Sequence, residues 1–263
     1  MKLFQLGHWL FQFQNVLRLQ LHANFVTTKE IGMKTIGLIG GMGWESSKLY
    51  YDYVNRFTQK RLGGSHSAKV ILVSVNFAEI EKLTFQKDWH EIGEIVAQSA
   101  QQLEQAGADM VVLCTNLIHL VSETIKARIS IPFIHIADAT GASIQQHNLK
   151  KILLLGTQDT MEKDFYSKTL RDNFGIEVIV PLLDDRELIH EIIYTQLLKG
   201  VFAKSSKEQI IDIIKKEQVN DVEGVILGCT ELTLLITKDD LDLLSFDTAK
   251  IHAEKAVELS LLN

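Results

Sequence analysis

The sequence predicts an α/β protein of two similar Rossmann-like lobes with parallel sheets, related by a pseudo-twofold axis, with a candidate site in the interlobe cleft. Three observations point there. Apolar runs of strand length alternate with helical periodicities. Two of those runs, Met110–Asn116 (MVVLCTN) and Gly224–Glu231 (GVILGCTE), break off in small polar residues. Buried parallel strands do this where their carboxyl ends open into a crevice. Finally, 75 residues separate Gly40 from Thr115 and 73 separate Gly156 from Cys229, which implies duplication of one strand–helix unit. On this plan the first lobe covers 33–137, joined by the C-terminal helix 248–263. The second lobe covers 138–247, and residues 1–32 form an extension outside the fold.

Lys34–Ile39 (KTIGLI) reads as the first strand, entering Gly40-Gly41-Met42-Gly43 and a helix near Ser46 or Ser47. A glycine-rich turn feeding a helix N-terminus offers unpaired amides to a carboxylate or a phosphate. Its glycine spacing departs from G-x-G-x-x-G, which argues against a dinucleotide site. The helix carries Leu49, Tyr50, Tyr53, Val54 and Phe57 on one face and stops before Gly63-Gly64. Lys69–Asn76 is the second strand, followed by Phe77–Ile80. Ile92, Ile95, Val96, Ser99, Ala100, Leu103 and Ala106 then form a helical face that Gly107 terminates. Leu117–Arg128 reads as a helix and Ile131–Ile136 as a buried strand. In the second half Lys151–Leu155 enters Gly156-Thr157, and a helix begins around Thr160 with Phe165 and Leu170 buried. Glu177–Pro181 is a strand, Arg186–Lys199 and Lys207–Glu217 are helices, and Gly224–Leu227 is the strand before Cys229. Leu244–Phe246 is a short strand and His252–Leu262 an amphipathic terminal helix.

At 263 residues, 46 % hydrophobic and 23 % charged, the chain has an ordinary globular composition and can bury the cores of two lobes. A net charge of −6 with no long basic run argues against nucleic acid as a partner. Two cysteines cannot build a disulfide framework, so free thiols in a reducing, cytoplasmic setting are expected. The apolar residues of 1–32 are interrupted by Gln, His, Asn or Arg too often for a signal peptide or membrane span, and no membrane partner is expected. A second start at Met33 makes an upstream extension the simplest explanation. A membrane-surface or partner helix, or a transit peptide, are the alternatives. His119 and His135 read as core residues, and no H-x-x-x-H or C-x-x-C spacing suggests a metal.

Cys114 and Cys229 stand at the two strand ends, each followed by a threonine. A free cysteine is commonly a small buried hydrophobe, but the twinned context argues for a role. Opposed weak acids flanking a small carboxylate suit inversion at a carbon acid: one base removes the α-proton, the carbon flattens, and the opposite acid returns a proton. Thiols, with an unperturbed pKa of about 8.5, offer both forms near neutrality. Charge developing on the substrate carboxylate needs preorganised donors, which Gly41–Gly43, Asn116, Thr157, Thr160 and Thr230 are placed to supply. Local turn capping is the plainer role for those hydroxyls. Nothing marks a Schiff-base lysine with a phosphate cup, which argues against a pyridoxal phosphate enzyme.

The chain resembles the aspartate/glutamate racemase superfamily, most closely its amino-acid racemase branch of L-aspartate/glutamate type. Ile36–Ser46 (IGLIGGMGWES), Cys114–His119 (CTNLIH), His135–Gly141 (HIADATG), Gly156–Tyr166 (GTQDTMEKDFY), Gly228–Glu231 (GCTE) and Phe246–Ala253 (FDTAKIHA) carry the likeness. It covers nearly everything from Met33 onward. The resemblance implies a cofactor-independent racemase with two bases, a small amino-acid substrate, aspartate or glutamate, and a homodimer. In much of the superfamily the first base is a cysteine followed by Asn-Thr, a pattern that aligns here with Thr115-Asn116-Leu117. The resemblance therefore implies Thr115 and Cys229 as the catalytic pair. Cys114 is the other candidate if the strand has already broken into a loop, because adjacent strand residues point to opposite faces.

By the same family pattern Met42, Asn116, Leu117, Thr157, Thr160, Met161, Thr230 and Glu231 line the pocket. An acidic side chain needs a cation or several donors, for which Thr84, Gln86, Lys87, Lys163 and Arg186 are candidates, although a lysine is more commonly a solvated surface charge. Without a cation in the pocket a neutral amino acid is favoured. An alcohol yields its proton far less readily than a thiol, so one enantiomer should be processed well and the other poorly. The resemblance suggests that the L-enantiomer is preferred, with Cys229 abstracting its proton. A lyase or isomerase of small diacids on this scaffold, and a non-catalytic amino-acid binder, are the competing readings.

Overall fold

A computed structural model describes residues 32–262, of which Met33–Leu262 form one compact unit. The expected extension therefore falls, but for Gly32, outside the described residues. The first sheet holds β1 (Ile36–Gly40), β2 (Val70–Ser74), β3 (Met110–Leu113) and β4 (Phe133–Ile134) in the order β2-β1-β3-β4. The second holds β5 (Lys151–Leu155), β6 (Glu177–Ile179), β7 (Gly224–Leu227) and β8 (Leu244–Asp247) in the order β6-β5-β7-β8. Every pairing is parallel, with Ile36 opposite both Val70 and Met110 in one sheet and Ile152 opposite Gly224 in the other. Each sheet thus repeats the same arrangement of second, first, third and fourth strands. The α/β class with two parallel sheets is as the sequence predicts.

The unbroken apolar runs explain which strands are central. Every residue of β1, β3 and β7 is buried, whereas β2 lies at an edge and exposes alternate residues. Along β3, Met110, Val112 and Cys114 pack on one face of the sheet, Val111 and Leu113 on the other. The first face is covered by α1 (Trp44–Leu62), through Tyr50, Val54 and Phe57, and by the terminal helix α11 (Thr248–Ser260), through Ala249 and Ala253. The carboxylate of Asp247 starts α11 by accepting from the Lys250 amide at 3.0 Å.

The departures from the sequence reading have local causes. The stretch after β2 is a full helix, α2 (Phe77–Gln86), which Lys87 ends at φ +57°. Asp88 caps α3 (Trp89–Gln105) by accepting from the Glu91 amide at 3.1 Å. Leu117–Arg128 is not one helix but a 3₁₀ segment, Leu117–Val121, followed by α4 (Ser122–Lys126). The strand expected over Ile131–Ile136 shrinks to two residues. Pro132 has no N–H to give, and His135 already caps α5 (Ile136–Gln145), its Nδ1 accepting from the Ala137 amide at 3.2 Å. The helix expected near Thr160 is split at Lys163 into α6 (Gln158–Glu162) and α7 (Asp164–Phe174). Helices α8 (Leu183–Thr195), α9 (Lys204–Gln218) and α10 (Thr230–Leu235) complete the second half. Among the described residues no helix is long and apolar enough to cross a membrane.

Candidate active site

The segments that follow β1, β3, β5 and β7 converge on one cleft of about 720 Å³, part of it open solvent. A volume of this order suits a small-molecule site. Met42, Gly43 and Ser46 contribute from the first turn, Thr115 and Asn116 from the end of β3, Thr157 and Thr160 from the end of β5, and Gly228–Glu231 from the end of β7. Helix α2 adds Phe77, Ile80, Glu81 and Thr84, one face at i, i+3, i+4 and i+7. Ile193, Tyr194 and Leu198 face the cleft from the second half. The turns that bring backbone this close need glycine at two points. Gly41 has φ +95° and a Cβ there would strike the Val75 carbonyl. A Cβ at Gly228 would come within 2.8 Å of the Leu155 carbonyl oxygen.

Strand alternation decides which side chain of the Cys114-Thr115 pair enters the cleft. Cys114 continues the Met110–Val112 face, is fully buried, and its carbonyl accepts from Ser46 Oγ at 2.8 Å. Burial alone pushes its thiol far above the ordinary cysteine range. Thr115, two residues beyond Leu113, is half-buried and lines the cleft. Cys229 stands two residues beyond Leu227 and follows Val225 and Leu227 against the same core cluster. Thr115 and Cys229 are thus corresponding positions of the two sheets. His119 Nδ1 donates to the Thr115 carbonyl at 2.8 Å, holding the end of the strand. His119, His135 and His252 are buried together, and burial lowers all three, His135 to about 4 and His252 to about 3. They are neutral core groups, in line with the sequence reading of His119 and His135.

Cys229 sits at the N-terminal end of α10, half-buried, with its Sγ donating to Glu231 Oε2 at 2.9 Å. Burial raises the thiol well above its ordinary value. The Glu231 charge and that hydrogen bond raise it further, while the Glu231 and Leu232 amides pull the other way. Thr230 Oγ1 donates to the same carboxylate oxygen at 2.8 Å. Asn116 is oriented by the fully buried Tyr166, whose hydroxyl donates to Oδ1 at 2.6 Å and so leaves the Nδ2 hydrogens for a ligand. Thr157 and Thr160 share one hydrogen bond at 2.9 Å, which leaves one hydroxyl proton between them for another acceptor. Although Thr157 precedes α6 at the capping position, its side chain makes no bond to a helix amide. Among the described residues no three His, Cys, Asp or Glu side chains are grouped to hold a metal ion.

Residues 39–256, well over half of the chain, match the family described as Asp/Glu/Hydantoin racemase. The chain belongs to that family. Among its relatives, the broad specificity amino-acid racemase RacX of Bacillus subtilis is 24 % identical over 84 % of this chain and 96 % of its own. A crystal structure from Yersinia pestis, provisionally described as an Asp/Glu racemase, superposes with a TM-score of 0.83 at 45 % identity, covering 88 % of this chain and all of the other. An aspartate racemase homologue from Pyrococcus horikoshii gives a TM-score of 0.76 at 37 % identity, covering 87 % and 99 %.

Of the site residues expected from the sequence, Thr115, Cys229, Met42, Thr84, Asn116, Leu117, Thr157, Thr160, Thr230 and Glu231 all line the cleft. Met161 does not. It is 5 % exposed and packs among Leu153, Ile189 and Ile193 in the second-half core, where burial of such a side chain is worth about 2 kcal/mol. Gly41 is also off the lining, its amide already given to Ser47 Oγ at 2.8 Å. None of the expected polar or cationic contacts Gln86, Lys87, Lys163 and Arg186 reaches it. Arg186 instead lies 3.4 Å from Glu162. Sequence reasoning missed Glu81, Tyr194 and the support from Tyr166. Glu81 lies on a helix to which the sequence assigns no element beyond Phe77–Ile80, Tyr194 lies on the helix expected over Arg186–Lys199, and Tyr166 stands out in the sequence only as part of a family motif.

Proposed function

We propose that this member of the racemase family inverts the α-carbon of an amino acid through its own side chains, without a bound cofactor, with Cys229 and Thr115 exchanging protons on opposite faces. The observation that carries this reading is the pair itself: a thiol and a hydroxyl at corresponding positions of the two sheets, lining one cleft, while Cys114 is sealed in packing. In the forward sense the Cys229 thiolate takes the α-proton of the L-enantiomer and the electron pair spreads into the carboxylate. The Thr115 hydroxyl then delivers a proton to the other face and is replenished from solvent. The Asn116 amide and the free Thr157/Thr160 hydroxyl proton are the donors that meet the carboxylate as its charge grows. The relatives are described as racemases, which disfavours the diacid lyase and the non-catalytic binder. A homodimer in the cytoplasm is the setting that the resemblance implies. Aspartate and glutamate are the substrates it implies, but an acidic side chain calls for a cation, and among the described residues the lining includes no Lys, Arg or His.

The equilibrium between enantiomers in solution is unity, so kcat/KM for inversion must be equal in the two directions. Any asymmetry between thiol and alcohol therefore shows in exchange. Cys229 can take a proton from the L-enantiomer and return solvent deuterium to the same face, whereas the D-enantiomer must first lose its proton to the poorer base Thr115. In deuterated water, exchange of the α-hydrogen is expected to be at least tenfold faster from the L- than from the D-enantiomer, and faster than inversion. Proton NMR with polarimetry measures both, and equal exchange from the two enantiomers would count against the assignment.

Tyr166→Phe tests the support beneath the site. Only a hydroxyl is removed, so packing is kept, but Asn116 Oδ1 loses its donor in a buried place. The expected cost is about 1–3 kcal/mol in denaturant unfolding. A roughly tenfold loss in kcat/KM is also expected as the amide loses its fixed orientation. A variant that is destabilised but fully active would show Tyr166 to be structural only.

A further inference from the structure

We propose that the side-chain end of this cleft is built for a cation on an apolar stem, the lysine or ornithine class, and against a carboxylate. This rests on the amino-acid racemase reading above and narrows it. One wall of the cleft is formed by α2, the end of α8 and the 3₁₀ turn Leu197–Lys199 that follows it, where Phe77, Ile80, Ile193 and Leu198 supply apolar surface for methylene groups. Among the described residues two carboxylates line the cleft, Glu81 and Glu231, and no lysine, arginine or histidine does.

The two acids are not equivalent. Glu231 is occupied beside the reacting centre, where Cys229 Sγ and Thr230 Oγ1 both donate to its Oε2. Glu81 lies on the α2 face, half-buried, and makes no ion pair or side-chain hydrogen bond among the described residues. It is the carboxylate left to meet a substrate side chain. Thr84, one turn further along, gives its hydroxyl proton to the Ile80 carbonyl at 2.8 Å, so it faces the cleft as an acceptor. Tyr194 is then the one hydroxyl on this wall able to donate. A glutamate side chain placed here would be desolvated beside a like charge with a single neutral donor, whereas an ammonium would find a carboxylate and a hydroxyl oxygen.

The test measures α-hydrogen exchange in deuterated water for L-lysine, L-ornithine, the neutral isostere L-norleucine, L-glutamate and L-aspartate with the unaltered protein. Exchange per unit substrate at low concentration is expected to be at least tenfold faster for lysine and ornithine than for glutamate and aspartate, with norleucine between. In Glu81→Gln the lysine-to-norleucine ratio is expected to fall toward one. Faster exchange of the acids than of lysine, or a ratio that Glu81→Gln leaves unchanged, overturns the cationic class while leaving the racemase reading intact. Absence of exchange from all five overturns that reading and the inference with it.

Discussion

Replacing Cys229 with serine is expected to lower α-hydrogen exchange from the L-enantiomer by about 10³-fold, within the range contributed by a positioned general base. Ligand binding should remain, because serine keeps the size and polarity of the position. The site is open enough, with Cys229 only half-buried, for the change to be tolerated by the fold. Burial and the Glu231 charge hold the thiol in its protonated form, so the competent thiolate is scarce at neutral pH. In the proposed mechanism the active species is the deprotonated thiol, whose pKa is raised. The L-exchange rate should therefore climb with pH through and beyond the ordinary thiol range near 8.5, about tenfold per unit below the true pKa. Exchange that survives in Cys229→Ser, or a rate independent of pH between 7 and 9, would remove Cys229 from the chemistry.

Thr115→Cys is expected to act in the opposite direction. A thiol at the end of β3 gives the second face a base as competent as the first, so exchange from the D-enantiomer should rise by about 10²-fold and approach that from the L-enantiomer. Inversion should speed up equally in both directions, as the unit equilibrium constant demands. The substitution removes a methyl from a half-buried position on the cleft wall, and little stability is at stake. No gain in D-exchange would mean that Thr115 does not face the substrate carbon, however close it lies to the cleft.

Much of this architecture was legible because apolar runs and helix punctuation are local signals. Lys151–Leu155 and Gly224–Leu227 were bounded to the residue. Gly107 ends α3 with φ +91°, as its position after the helical face implied. Where local signals conflicted, the reading slipped. IPFIHI looks like a buried strand, yet Pro132 and the capping role of His135 leave two residues of it. The family pattern puts Met161 in the pocket with Thr157 and Thr160, but it falls within α6 on the side that the second core requires. Helix α2 was missed because FAEIEKLTFQ has a narrow apolar face, and that face turns out to be a wall of the cleft.

The sequence by itself determined the class of fold, the duplication, and the two strand ends at which chemistry could be placed. Apolar periodicity and abrupt polar termination are written residue by residue. Three matters were decided only by tertiary structure. Alternation carried beyond Leu113 buries Cys114 beneath α1 and α11 and brings Thr115 to the cleft that Cys229 also lines. The fully buried Tyr166, 50 positions along the chain, fixes the Asn116 amide. Packing of α2 and α8 around the cleft admits Glu81, and no Lys, Arg or His among the described residues joins the lining. Each depends on which distant surfaces meet, and no pattern along a single strand of sequence encodes that.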